Sequence, residues 1–339
     1  METKILSTSN EDIKTAAAII KSGGLVAFPT ETVYGLGANA LDEVAVKKIY
    51  STKGRPSDNP MIVHISSPAD IGLLASSWNS TVNRLMDIFW PGPLTLVLNK
   101  KEGIPDVTTG GIDTVAVRMP DDACALAIIK QAGCPVAAPS ANISGRPSPT
   151  KAEHVINDLD GKIDAIVVGS DCRVGIESTV LDVTGEIPVI LRPGIITADE
   201  IREALGMNVE LDPSLLKRNT QDSDSGEAED FSPKSPGMKY KHYAPEAEMT
   251  IIEGQRSKVE AEIKRIKELK ESEGKSVGVI MFEERAFKKA AREFFAKLRE
   301  LDGQGVDVIL AGALSQADGV GFAVMNRMLK SAGYNIIKI

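Results

Sequence analysis

Two short stretches carry residue types suited to handling phosphate. KGRPSDNP, residues 53–60, holds Lys53 and Arg55 two positions apart, with Asn59 close behind. APSANISGRPSP, residues 138–149, holds Ser140 and Asn142 at the same spacing. Gly and Pro punctuate both, so neither reads as helix interior. In an extended segment, residues i and i+2 face the same way. On that geometry Lys53 and Arg55 face one site together and make an anion site, for which a polyphosphate is the natural occupant. Ser140 and Asn142 offer a hydroxyl and an amide that bond phosphate oxygens or help hold a magnesium ion. Pro139 forces extended backbone on Ala138, so this loop leaves a strand end in a set direction. Taken singly, each stretch also fits an ordinary solvated turn.

Other polar groups recur at the ends of apolar runs. FPTETVYGLGANA (28–40) sets Thr30, Glu31, Thr32 and Tyr34 directly after a buried strand, followed by glycines that admit close backbone approach. His64 lies inside MIVHI, where a satisfied core histidine is the ordinary reading. Arg118 ends TVAVR and Arg192 ends VILR. A cation buried there demands an anionic partner. Loops at strand ends of α/β sheets are where ligands sit.

The elements that must position these groups follow from the apolar pattern. From Lys4 to about Met207, strand-like runs (24–30, 61–65, 94–98, 114–119, 135–139, 165–169, 178–183, 188–192) alternate with amphipathic helical ones (42–53, 68–76, 80–90, 121–132, 198–205). A T-x-x-E pattern, Thr150 to Glu153, predicts a capping box opening one more helix. This order implies an α/β domain around a twisted, mixed sheet. Residues 216–245 then lose almost all aliphatics and read as a linker, although its end, SPGMKYKHYAP, clusters Tyr240, His242 and Tyr243. Beyond it, strict alternation of strand (248–254, 276–282, 306–312, 335–339) and helix (256–275, 285–299, 319–331) predicts a smaller, parallel, Rossmann-like α/β domain. It has no G-x-G-x-x-G after its first strand.

A chain of 339 residues with 42% hydrophobic content is comfortable for two such domains. The net charge of -8 counts against gripping nucleic acid as the main task. Cys124, Cys134 and Cys172 form no C-x-x-C pair and read as buried structural thiols of a reducing, cytoplasmic compartment. His64, His154 and His242 lack zinc-ligand spacing. The start has no signal-peptide h-region, and no apolar run reaches the length of a membrane span.

In order and wording, KGRP with Asn59, PSAN, FPTETVYGLG, FWPGPLTLVL, VAVRMP, IESTVLDV and ILRPG resemble the Sua5/YrdC family. SPGMKYKHYAP followed by a small α/β domain resembles the longer, two-domain Sua5 type. The resemblance implies a YrdC-like catalytic domain over 1–209, a linker with an active-site lid over 210–246, and a Sua5-type C-terminal domain over 247–339. It implies an L-threonylcarbamoyladenylate synthase, a nucleotidyltransferase joining L-threonine, bicarbonate or CO2, and ATP. The products are threonylcarbamoyl-AMP, for the t6A modification at tRNA position 37, and pyrophosphate. The family's K-x-R…S-x-N tetrad matches Lys53, Arg55, Ser140 and Asn142 as catalytic and ATP-binding residues. By the same resemblance Asn59, Arg192 and Tyr243 touch ATP. Thr32, His64, Arg118 and Ser178 surround threonine, and Tyr240 and Tyr243 form the lid. Magnesium arrives on the ATP phosphates rather than in a protein cage. A transient contact with the downstream tRNA threonylcarbamoyltransferase is implied, with no stable nucleic-acid binding and no membrane.

Three rivals differ in class. An RNA-binding module would use the same basic concave site and show steep salt dependence without turnover. A carbamoyltransferase of the hydrogenase-maturation kind would need zinc-finger and acylphosphatase segments, which are absent here. A regulatory protein would act through its C-terminal domain.

Overall fold

The structure, a computed structural model, describes residues 2–216, 242–314 and 319–339. Its larger sheet runs, edge to edge, Lys4–Leu6, Ala165–Val167, Val26–Phe28, Gly35–Asn39, Val136–Ala137, Ile62–His64, Thr114–Arg118, Leu94–Asn99, Thr179–Asp182, Val189–Arg192, Glu210–Leu211. Parallel and antiparallel neighbours mix, as the α/β pattern implied. Alternation of side chains sorts the faces. Val26 and Phe28 meet helices Asn10–Lys21 and Ala123–Ala132 in one core layer, while Leu25 and Ala27 join the larger core on the other side. That larger core also takes the buried face of helix Glu43–Lys53.

Three local outcomes depart from the sequence pattern. Gly35–Asn39 is a strand although it holds no β-branched residue. Its glycines explain why: a Cβ on Gly37 would lie 2.5 Å from Phe28 Cε1, so a bare backbone is what lets this strand pack there. The predicted capping box does not form. The helix is Ala152–Leu159, its N-cap is Lys151 without a side-chain bond, and the Thr150 N–H donates to His154 Nδ1. The sheet also continues past residue 209, the bound that the family resemblance implies for the first domain. Glu210 and Leu211 pair with Val189 and Ile190, and Leu211 and Leu215 pack on the core.

The C-terminal sheet has four parallel strands in the order Val277–Ile280, Val308–Gly312, Glu248–Glu253, Ile336–Lys338. Helix Arg256–Ser272 covers one face. Helices Phe287–Gln304 and Gly319–Ser331 cover the other, in a core that also takes in Val33, Ile176 and Tyr243. The two domains therefore share apolar packing beside the strand ends that matter most.

Candidate active site

The register of the central strands builds the site. His64 and Arg118 lie opposite each other at the C-terminal ends of parallel neighbours. Ala138 follows the next strand, and its N–H donates to Ile62 O at 3.0 Å. Residues 138–149 are then sewn to the 30–35 segment: Leu36 N donates to Pro139 O at 2.8 Å, and Ala141 N to Tyr34 O at 2.8 Å. These ends enclose a cleft of about 580 Å3, space open to solvent included.

Arg55, Ser140, Thr32, His64, Arg118, Ser178, Arg192 and Tyr243 all line this cleft. Lys53, Asn59 and Asn142 do not line it; they are buried behind it. Tyr240 lies outside the described residues.

Lys53 and Arg55 do not point together. Lys53 is the last residue of helix Glu43–Lys53, on the same buried face as Ala45, Val46 and Ile49. Gly54 then takes a left-handed conformation, φ 62, which breaks the extended geometry that an i, i+2 pair requires. The Lys53 ammonium donates to the carbonyls of Ser140 and Asn142, so it props the second loop from beneath. Burial, with Arg55 adding to it, pulls the Lys53 pKa well below the usual lysine value. Arg55 turns the other way, donating from Nη2 to Pro60 O at 2.9 Å, and its side chain forms part of the cleft wall. Asn142 spends its amide on the Ile143 and Arg146 carbonyls, leaving Oδ1 buried without a partner.

On the opposite wall, Arg118 has the anionic partner its burial demanded. Its Nη2 pairs with Glu31 Oε2 at 2.6 Å, its Nη1 donates to Thr32 Oγ1 at 2.9 Å, and its Nε donates to Gly92 O. His64, one strand over, is neutral: burial and the Arg118 charge push its pKa down to about 3. Its Nδ1 is buried with no partner. Arg192 donates from Nε to Ser178 O and from Nη2 to Ser178 Oγ, and Thr95 Oγ1 sits 2.7 Å from that hydroxyl. Ser178 and Arg192 are thus one unit.

The comparisons with known proteins agree on one assignment. A family model described as "Telomere recombination", the Sua5–YciO–YrdC domain, matches residues 18–194. One described as "Threonylcarbamoyl-AMP synthase, C-terminal domain" matches residues 196–333. The threonylcarbamoyl-AMP synthase of Pyrococcus abyssi is 48% identical, over 96% of each chain. The chain belongs to the Sua5/YrdC family. The threonylcarbamoyl-AMP synthase of Bacillus subtilis is 44% identical, over 98% of this chain and 96% of its own. Among solved structures, P. abyssi Sua5 complexed with L-threonine superposes with a TM-score of 0.92 at 47% identity, over 99% of this chain and 100% of that one.

In this Sua5-family cleft two residues escaped the sequence-based assignment of roles. Glu177 lines the wall next to Ser178. Burial pushes its carboxyl pKa up, but Arg327 and Arg192 outweigh that and hold it below the usual value. A carboxylate inside the run GIESTVLDV was the available signal. His242 lines the cleft beside Tyr243, and burial with the Arg55 charge pushes its pKa down to about 3. Tyr243 itself has φ 66, a conformation that costs a non-glycine residue about 1 kcal/mol. Its ring packs 5.1 Å from that of Phe295 in the C-terminal core.

Proposed function

We propose that this cleft makes threonylcarbamoyl-AMP from L-threonine, bicarbonate or CO2, and ATP, releasing pyrophosphate. One observation carries the reading: a paired arginine and a neutral histidine converge on the same cleft as the Ser140 loop and Arg55. The first set suits an amino acid, the second a nucleotide.

Threonine would sit against Arg118, with Thr32 and Ser178 supplying hydroxyls. His64, uncharged at neutral pH, accepts a hydrogen bond from the amine without adding a positive charge. The neutral amine attacks the carbon of CO2, forming the N–C bond and shedding one proton. A carbamate oxygen then attacks the α-phosphorus, and the bond to the pyrophosphate oxygen breaks with its electron pair. Neither step needs a protein nucleophile; positioning and charge stabilisation supply the catalysis. Arg55 and Arg192 offset phosphate charge. Ser140 offers its hydroxyl, held in place by Lys53 behind the loop. Tyr243 and His242 close the cleft against water, which matters because a carbamoyl-adenylate hydrolyses easily.

Glu177 in the cleft wall and Glu31, buried outside the lining, are already paired to arginines. That arrangement suits a magnesium ion carried by ATP oxygens, with the Ser140 hydroxyl as a further oxygen ligand. Bound there, it would neutralise charge on the departing pyrophosphate. The product would feed t6A synthesis on tRNA in the cytoplasm, through transient contact with the enzyme that transfers it. The RNA-binding alternative fits less well, since Arg118 and Arg192 are buried in the cleft wall rather than ranged along a solvent-facing stripe. The test is pyrophosphate release in a mixture of ATP, magnesium, L-threonine and bicarbonate. We expect release that requires both threonine and bicarbonate; salt-sensitive RNA binding without it would overturn the reading.

A further inference from the structure

The C-terminal domain reaches into the catalytic domain with two arginines. Arg299, on helix Phe287–Gln304, donates from Nη2 to Asp158 Oδ2 at 2.8 Å and to Pro147 O at 2.6 Å. Its Nη1 donates to Asp158 Oδ1 at 3.2 Å. Asp158, whose side chain is 1% exposed, also accepts from Ile143 N at 3.3 Å. Arg327, on helix Gly319–Ser331, is wholly buried. It donates from Nε to Glu177 Oε2 at 3.1 Å and from Nη1 to Pro193 O at 2.7 Å. The other oxygen of Glu177 accepts from Ser148 Oγ at 2.6 Å.

Both flanks of the 143–148 run are therefore held by carboxylates, and each carboxylate takes its first charged partner from the C-terminal domain, with Arg146 Nη1 at 3.8 Å from Asp158 and Arg192 acting on Glu177 as further cations. Between them, Ala244 N donates to Gly145 O at 2.8 Å. The same loop carries Ser140 into the cleft. Apolar packing alone would tolerate sliding between the domains. Charged hydrogen bonds buried this deep admit few geometries, because a displaced arginine takes from its buried carboxylate the strongest charged partner it has.

We propose that the C-terminal domain is a positioning clamp for the loop of residues 140–148. Arg299 and Arg327 fix its two flanks, through Asp158 and Glu177, and so set Ser140 against the nucleotide. Neither arginine touches substrate; both are positioning residues. The clamp rests on the reading of this loop as the nucleotide side of the cleft.

The test uses the full chain with Arg299→Met, Arg299→Lys and Asp158→Asn, positions away from the cleft wall. A misplacement near 1 Å costs about 10²-fold in rate. Arg299→Met is expected to lower kcat/KM for ATP about 10- to 100-fold. Calorimetry is expected to show full threonine stoichiometry with an unchanged Kd. Arg299→Lys should recover part of the loss, and adding Asp158→Asn to Arg299→Met should cost little more, because the two act as one unit. A loss of kcat in proportion to lost threonine sites would mean plain unfolding and would overturn the clamp. So would wild-type kcat/KM. Hydrogen exchange on Arg299→Lys, the variant that retains the charge, gives a readout without turnover. Faster exchange in peptides over 140–149, with the C-terminal sheet unchanged, supports the clamp, and unchanged exchange refutes it. Because exchange needs no activity, failure of the clamp is told apart from failure of the synthase reading.

Discussion

Replacing Lys53 with Met keeps the stem and removes the ammonium. In the structure that ammonium bonds the carbonyls of Ser140 and Asn142. Deleting it leaves the buried Asn142 carbonyl and the part-buried Ser140 carbonyl unpaired, at about 1–3 kcal/mol each. Relief of the burial that lowers the Lys53 pKa offsets part of this. A net loss of about 3 kcal/mol follows, from two carbonyls at the middle of that range less the offset. At about 2–4 °C per kcal/mol for a domain of this size, Tm should fall by about 6–12 °C. Turnover should fall about 10²-fold as Ser140 shifts. Scanning calorimetry with pyrophosphate release on the same sample measures both. A Lys53→Met protein with wild-type Tm and abolished turnover would refute the propping role and leave Lys53 as a direct phosphate contact.

Three other outcomes follow from the same geometry. Arg118→Lys cannot reproduce the fork to Glu31, Thr32 and Gly92; calorimetric threonine affinity should fall more than about 10-fold, a loss near 1.4 kcal/mol or greater. Tyr243→Ala removes the ring that packs on Phe295 and faces the cleft; turnover should drop about 10-fold or more with threonine affinity kept, and a wild-type rate would dismiss the lid. His64 and His242 have folded pKa values near 3 against 6.5 unfolded. Between those values the unfolded chain binds more protons, so stability is full above pH 6.5 and falls as pH drops, by up to about 1.4 kcal/mol per pH unit for each histidine. Urea unfolding from pH 7 to pH 4.5 checks the sign; a flat profile would contradict it.

Much of the site was legible because buried polar groups stand out in apolar runs. Arg118 at the end of TVAVR and Arg192 at the end of VILR each break a hydrophobic pattern and face one cleft, whereas His64 and Ser178, on the same cleft, took their role from the family resemblance alone. The α/β alternation was legible for the same reason, from Val- and Ile-rich strands. The orientation of Lys53 against Arg55 was not, because one left-handed glycine reverses a spacing argument without changing any spacing. The strand Gly35–Asn39 escaped notice because its stability comes from the close approach of Phe28, a tertiary term that local propensity does not carry. Arg299 and Arg327 left no sequence signal at all: their partners lie 141 and 150 residues away, and each arginine sits in an otherwise ordinary amphipathic helix.

The most direct measurement is mass spectrometry of the product made from 13C-bicarbonate, L-threonine, magnesium and ATP. The account predicts threonylcarbamoyl-AMP carrying a single 13C at its carbamoyl carbon, formed in step with pyrophosphate. Pyrophosphate release without that labelled product, or no threonine-dependent product at all, would contradict it.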